Sequence, residues 1–398
     1  MKYILIAISG AADHVAEELG GKTPLEVAKI PNLQFFAKSG RIGQVKLTSD
    51  RLEPSADVTF LNLLGYDADK VYTGIGPLEA ANLELKLEKD EIPFRMNFIT
   101  ESGGLLADST AGKISNKEAK ALINFLNKKI SSDFVRFFAG SGYRHVAVLK
   151  DSHGFDALSA KTISPHAIRG ERLDHYFPKG PGAELLKKLM YDAKLLLQDH
   201  EINQVRVDLG ENPANMIWLW GQGRKPDLEK FSRLSGFSGS VITSTDYVKG
   251  IARLTGLTIV EANGRVDDLM IQYEKKGKLF LEEIKEKDFV CIHVRGCDDA
   301  SRDGDLRSKV SALEAADYFI LSKVKSYLER SKDARVLVTS CHAAPWKMKK
   351  RVRGLVPFVM MGKNVVADDH EKFSELTAQI SDLKISKSTA FMPFFLAK

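Results

Sequence analysis

The sequence predicts an α/β protein: a mostly parallel sheet with helices on both faces, formed by residues 1–100 and 237–398, plus a smaller α/β domain inserted at 101–236. Three observations carry this. Short apolar runs at 2–8, 289–294 and 335–339 each end in a polar cluster, as buried parallel strands do where they meet a ligand edge. Helical patterns lie between those runs, so strand and helix alternate. The chain is also too long for one simple core, and its texture changes near Ser102-Gly103-Gly104 and returns at Ser235-Gly-Phe-Ser-Gly239.

Taken in order, Lys2-Tyr-Ile-Leu-Ile-Ala-Ile8 is a buried strand stopped by Ser9-Gly10. Thr23-Pro-Leu-Glu26 has the cap, the proline and the acidic third residue of a helix start. A second helix covers 32–38, a return strand 41–47, and a further helix 57–64. The middle contains a helix at 116–129, strands at 134–138 and 143–149, a Gly/Pro-rich loop at 177–182, a helix at 183–200 and a strand at 216–220. After the return come the strand at 289–294, one long amphipathic helix at 308–331 and the strand at 335–339.

Hydrophobic residues at 44% and charged residues at 28% describe a soluble globular chain. The net charge of +6 suits an anionic small molecule, and its basic residues are interleaved with acidic ones, which excludes a nucleic-acid stripe. Three cysteines without a C-x-x-C pair fit a reducing interior. The first apolar run is too short for a signal core or a membrane span, so a cytoplasmic protein without membrane attachment is expected.

Ser55, in Arg51-Leu-Glu-Pro-Ser-Ala-Asp-Val-Thr-Phe60, stands at the mouth of the helix at 57–64. Unpaired backbone N–H groups and the positive end of the dipole favour a phosphate or oxyanion there, which makes Ser55 a candidate phosphoryl carrier. The plainer reading is a serine N-cap.

Gly20-Gly-Lys-Thr-Pro-Leu-Glu26, Pro31-Asn-Leu33, Leu64-Gly-Tyr-Asp67, Tyr72-Thr-Gly74, Phe94-Arg-Met-Asn-Phe98, Tyr143-Arg-His145 and Gly250-Ile-Ala-Arg253 follow one another in a specific order. Together, over nearly the whole chain, they resemble the cofactor-independent (2,3-bisphosphoglycerate-independent) phosphoglycerate mutases in their archaeal form, within the alkaline phosphatase superfamily. The resemblance implies an alkaline-phosphatase-like sheet. It also implies interconversion of 3- and 2-phosphoglycerate in glycolysis and gluconeogenesis, through a phosphoserine and two divalent metals, commonly manganese. On that match Ser55 is the nucleophile and, with Asp298 and His342, a metal ligand, and Arg95, Asn97, Arg144, His145, Lys249 and Arg253 are substrate-binding positions.

The match breaks at the metals. The first-strand aspartate position is Ser9, the histidine of the Asp-rich motif is Arg302, the aspartate before His342 is Cys341, and the last histidine is Arg351. Four of seven expected ligand positions therefore carry another residue, and arginine cannot ligate a cation. The expectation is no tightly bound metal pair and little or no mutase activity. Three outcomes stay open: a single altered metal site at Cys341, His342 and Asp298; a metal-free phosphotransferase with Ser55 as nucleophile and His342 as base; or a non-catalytic relative that binds a phosphorylated anion or a protein partner. Cys341 also reads as a small buried residue.

Overall fold

A computed structural model of the chain describes residues 1–151, 154–262 and 268–397. Its strands, in chain order, are β1 (Lys2–Ile8), β2 (Arg41–Lys46), β3 (Glu91–Ser102), β4 (Leu105–Asp108), β5 (Val135–Ser141), β6 (Arg144–Lys150) and β7 (Met216–Trp220). They continue with β8 (Gly239–Thr243), β9 (Thr258–Glu261), β10 (Phe289–Val294), β11 (Ala334–Ser340), β12 (Leu355–Gly362) and β13 (Lys384–Ile385). The chain divides into two compact units: Met1–Tyr72 with everything from Leu228 onward, and Thr73–Asp227.

The first unit is built on an eight-stranded sheet of order β13-β2-β12-β11-β1-β10-β8-β9. β1 runs parallel to both β10 and β11, and β8 and β9 continue the parallel set, while β12 alone runs the other way between β11 and β2. Alternate residues of the central strands, such as Ile4, Ile6 and Ile8, pack with Phe280, Leu313 and Ile320 of the covering helices. Each such side chain contributes about 1.5–3 kcal/mol by leaving water.

The second unit has a five-stranded sheet in which β3 pairs antiparallel with β6 and β7. Helix Asn116–Ile130 starts with a capping box, Ser115 accepting from Glu118 N and the Glu118 carboxylate accepting from Ser115 N. It buries Ala119, Leu122, Ile123 and Leu126, the 3.6-residue stripe that its sequence pattern predicts. That stripe packs with Phe94, Met96 and Phe98 of β3.

The structure corrects three sequence-based boundaries. The second unit spans Thr73–Asp227 where the sequence suggested 101–236, because helix Ile75–Asn82 and β3 belong with the second sheet. β3 escapes a sequence reading because it is buried on both faces, yet carries Arg95 and Asn97, so it shows neither a clean apolar run nor alternation. The helix expected at 308–331 is Leu306–Ala316, a π-turn at Asp317–Leu321, and Ser322–Arg330. At that turn the Asp317 carboxylate accepts from the Asn32 and Leu33 N–H groups, 3.2 and 2.7 Å away, at the start of helix Pro31–Lys38. The helix expected at 183–200 ends at Leu197 and is followed by a second, Glu201–Asp208. Among the described residues no helix is long and apolar enough to cross a membrane.

Candidate functional site

In the first unit the carboxyl ends of β1, β10 and β11 bring the predicted residues together. Ser9 follows β1, Asp298 lies in helix Gly296–Asp303 just after β10, and Cys341 and His342 follow β11. Gly10 makes the approach possible: its φ is +75°, and a Cβ there would stand 2.6 Å from Asp298 Cα.

Asp298 is the hub. Its Oδ1 accepts from His342 Nε2 at 2.8 Å and from Arg351 Nε at 2.9 Å, and its Oδ2 from Arg351 Nη2 at 2.6 Å. The guanidinium fork thus takes both oxygens of one carboxylate. The other imidazole nitrogen, His342 Nδ1, lies 3.2 Å from Thr59 Oγ1. Thr59 sits one turn into helix Ala56–Leu63, with its N–H on the Ser55 carbonyl. A second chain lies beside the first: Ser9 Oγ is 3.0 Å from His293 Nε2, and Thr243 Oγ1 is 3.3 Å from His293 Nδ1. Lys276, buried beneath it, donates to the His293 carbonyl at 2.8 Å.

Burial opposes ionisation of Asp298, but the Arg351 charge and the hydrogen bonds from His342 and Arg351 outweigh it and hold the carboxyl well below its ordinary range. Burial lowers His342, with the Asp298 charge resisting, so its imidazole is neutral at neutral pH. Burial also lowers His293, and it pushes the Cys341 thiol up to about 12. Lys276 falls to about 7 because burial disfavours its charge and Arg295 repels it.

A divalent-metal centre does not fit this donor set. Among the described residues no three His, Cys, Asp or Glu side chains are grouped to hold an ion. Of Cys341, His342 and Asp298, the carboxylate is shared with a guanidinium and the imidazole has both nitrogens engaged. Ser55 occupies the N-cap position, but its side chain makes no capping bond. Arg302 lies half-buried in the last turn of the Asp298 helix.

The six expected substrate positions divide between the units. Lys249, on helix Asp246–Thr255 of the first unit, pairs with Glu261 at 3.1 Å, and Arg253 is exposed in that helix's last turn. In the second unit Arg95 forms a buried ion pair with Glu79, donates to Asn97 Oδ1 at 3.2 Å, and lies 5.7 Å from the Trp220 ring. Arg95 is thus committed to its own unit. His145, pressed edge-on against Phe98, accepts from Gly140 N at 3.1 Å. Burial and the nearby Arg95 and Arg144 charges lower it to about 3, so it stays neutral. The Arg144 guanidinium stands over the Tyr143 ring at 5.3 Å.

Thr59, Thr243, His293, Lys276 and Glu79 are the polar partners that sequence reasoning missed. The clue for His293 is its place inside an otherwise apolar run; for Thr59 it is the 3.6-residue spacing from Ser55. Nothing local singles out Lys276.

A family model described as 2,3-bisphosphoglycerate-independent phosphoglycerate mutase matches residues 37–203. The Methanosarcina mazei protein of that name is 35% identical over 391 residues, covering 98% of both chains. A probable member from Geobacter sulfurreducens is 34% identical over 364 residues and 90% of both chains. Among solved structures, the PH0037 protein of Pyrococcus horikoshii superposes with a TM-score of 0.78 at 25% identity, covering 99% of this chain and 96% of that one. The cofactor-independent phosphoglycerate mutase of Thermoplasma acidophilum does so with a TM-score of 0.60 at 24% identity, over 100% and 99%.

Proposed function

The chain belongs to the 2,3-bisphosphoglycerate-independent phosphoglycerate mutase family, and we propose that within it this protein binds a phosphorylated small acid without the family's two-metal turnover. The observation that carries this reading is the Arg351 fork on both oxygens of Asp298. A dication bound to that carboxylate would sit roughly 4 Å from the guanidinium. At an effective dielectric of about 20, their repulsion is on the order of 8 kcal/mol. Ser9 supplies no carboxylate to offset it.

Without a metal, Ser55 needs another base. His342 is the base that the sequence comparison suggests, but its nitrogens serve Asp298 and Thr59, which removes the support for a metal-free phosphotransferase. The Ser55 hydroxyl then keeps an alcohol's weak acidity. Phosphoglycerate is the ligand that family membership favours, and the buried, unpaired cysteines fit action in the cytoplasm.

The test is metal content of the purified protein together with a mutase assay across manganese, zinc and cobalt. The expected result is less than one ion per chain and no metal-stimulated interconversion. Stoichiometric manganese with turnover like that of active members would overturn the reading.

A further inference from the structure

The chain after β12 returns along one edge of the first unit's sheet as a thin strap. Helix Glu375–Ile380 lies against β2 and β12, and β13 pairs with β2. Of the apolar side chains at 373–380, Phe373 and Ala378 are buried in the core, while Leu376 and Ile380 are 62% and 69% exposed. A segment with so little buried apolar surface opens locally before the sheet beneath it does.

One carboxyl group ties the strap inward. Glu375 Oε1 accepts at 2.9 Å from Asp13 N, on the loop that leaves β1, and Oε2 accepts at 2.7 Å from Thr23 Oγ1, the cap of helix Pro24–Val27. Both donors are neutral. The nearby ammonium, Lys309 of helix Leu306–Ala316, is spent elsewhere: it donates to Asp13 Oδ2 and, at 2.9 Å, to the Ala344 carbonyl. Asp13 Oδ2 also accepts from Trp346 N at 3.2 Å. The adjoining Glu26 carboxylate, which accepts from Thr23 N at 2.8 Å, and the His14 ring belong to exposed residues. Inside the cluster two carboxyl groups therefore stand beside one buried ammonium, and among the described residues Glu375 has no cation in contact. Such a cluster favours a proton on the carboxyl that lacks the cation. Burial pushes Glu375 up to about 7, outweighing its hydrogen bonds and the Lys309 charge. A protonated carboxyl can keep both contacts, donating to Thr23 Oγ1 while its carbonyl oxygen accepts from Asp13 N.

We propose that residues 373–385 form a proton-latched strap, closed on the Asp13 loop and Thr23 when Glu375 carries a proton and free to lift when it does not. The closed form holds the proton up to about 7, against 4.5 for a hydrated carboxyl in the open form, so between those values closing takes up a proton. Closure is tightest in acid, weakens as pH rises from about 4.5 to about 7, and is level above. The latch borders the stretch between His342 and Arg351, where Lys309 and Asp13 hold Ala344 and Trp346, but it requires no metal or ligand at Asp298.

Native-state hydrogen exchange at Ala378, whose N–H donates to the Ser374 carbonyl at 3.0 Å, reads the opening. Comparing the wild type with Glu375→Gln at each pH cancels the pH dependence of exchange chemistry itself. The ratio of wild-type to variant exchange rates is expected to climb at least about tenfold from about pH 5 to about 7 and to flatten above. A ratio that does not change with pH would leave Glu375 as an ordinary hydrogen-bond acceptor and overturn the proposal. The wild type alone supplies a second measurement should the variant not fold. The side-chain carboxyl carbon of Glu375, followed by NMR, is expected to titrate with a midpoint of about 7, and a midpoint near 4.5 overturns the proposal as well.

Discussion

Asp298 is 2% exposed and holds three donor contacts on two oxygens, so losing its guanidinium leaves a carboxylate charge that water cannot reach. Breaking a buried ion pair from one side costs about 3–5 kcal/mol. The Arg351 side chain is 21% exposed, which admits some solvent. Arg351→Ala is therefore expected to destabilise the protein by roughly 2–4 kcal/mol in urea unfolding with chelator present. Pairing Arg351→Met with Asp298→Leu should recover most of that loss; a double variant as unstable as the sum of its parts would mean the pair is not coupled. Lys276 supplies a pH test. Its amine is held near 7 in the folded protein, against an ordinary value of 10.5. Between those values the unfolded chain binds more protons than the folded one, so this group makes stability rise with pH from about 7 to about 10.5 and level off above. Lys276→Met should flatten the slope of melting temperature against pH from 7 to 9. An unchanged slope would show that the amine is not held neutral.

The loops that leave β1, β10 and β11 set the geometry of the site, and the tightest of them is at Gly10. A side chain there would have to adopt φ +75° and drive a Cβ into the backbone of the Asp298 helix, 2.6 Å away. Gly10→Ala is expected to cost about 2–4 kcal/mol, more than the 1–2 kcal/mol of left-handed strain alone, because the helix must also move. Chemical unfolding measures the loss. A cost under about 1 kcal/mol would mean the loop yields easily and the close approach is not required. Helix Ala56–Leu63 shows the same dependence on neighbours. Every one of its residues is buried, so packing, and not a cap at Ser55, holds it in place.

Each sheet has its own large hydrophobic core, with its own set of strands and covering helices. Leu126 is fully buried in the second core against β3 and its neighbours. Leu126→Ala is expected to cost about 2–5 kcal/mol through lost burial and the cavity left behind. In native-state hydrogen exchange the loss should appear as faster exchange in β3, β6 and β7, with β1, β10 and β11 keeping their protection. Equal acceleration in both sheets would show that the two cores open as one.

What was legible beforehand is what depends on neighbours along the chain. Apolar runs ending in polar clusters mark β1, β10 and β11, and the capping residues mark the helices that begin after Thr23 and Ser115. The residue types at 9, 302, 341 and 351 are likewise visible in the letters alone, since a hydroxyl, guanidinium or thiol at a given position is a fact of composition. Folding alone decides which charge meets which. Arg351 is 53 positions from Asp298, and Lys276 is 17 from His293, yet these contacts determine whether an arginine is a free anion receptor or half of a closed pair. The start of the second unit at Thr73 has the same origin, because strand pairing between β3, β6 and β7 is long-range and leaves no local signature in a strand buried on both faces. Periodicity encodes what a residue turns away from water; only the packed chain encodes what it turns toward.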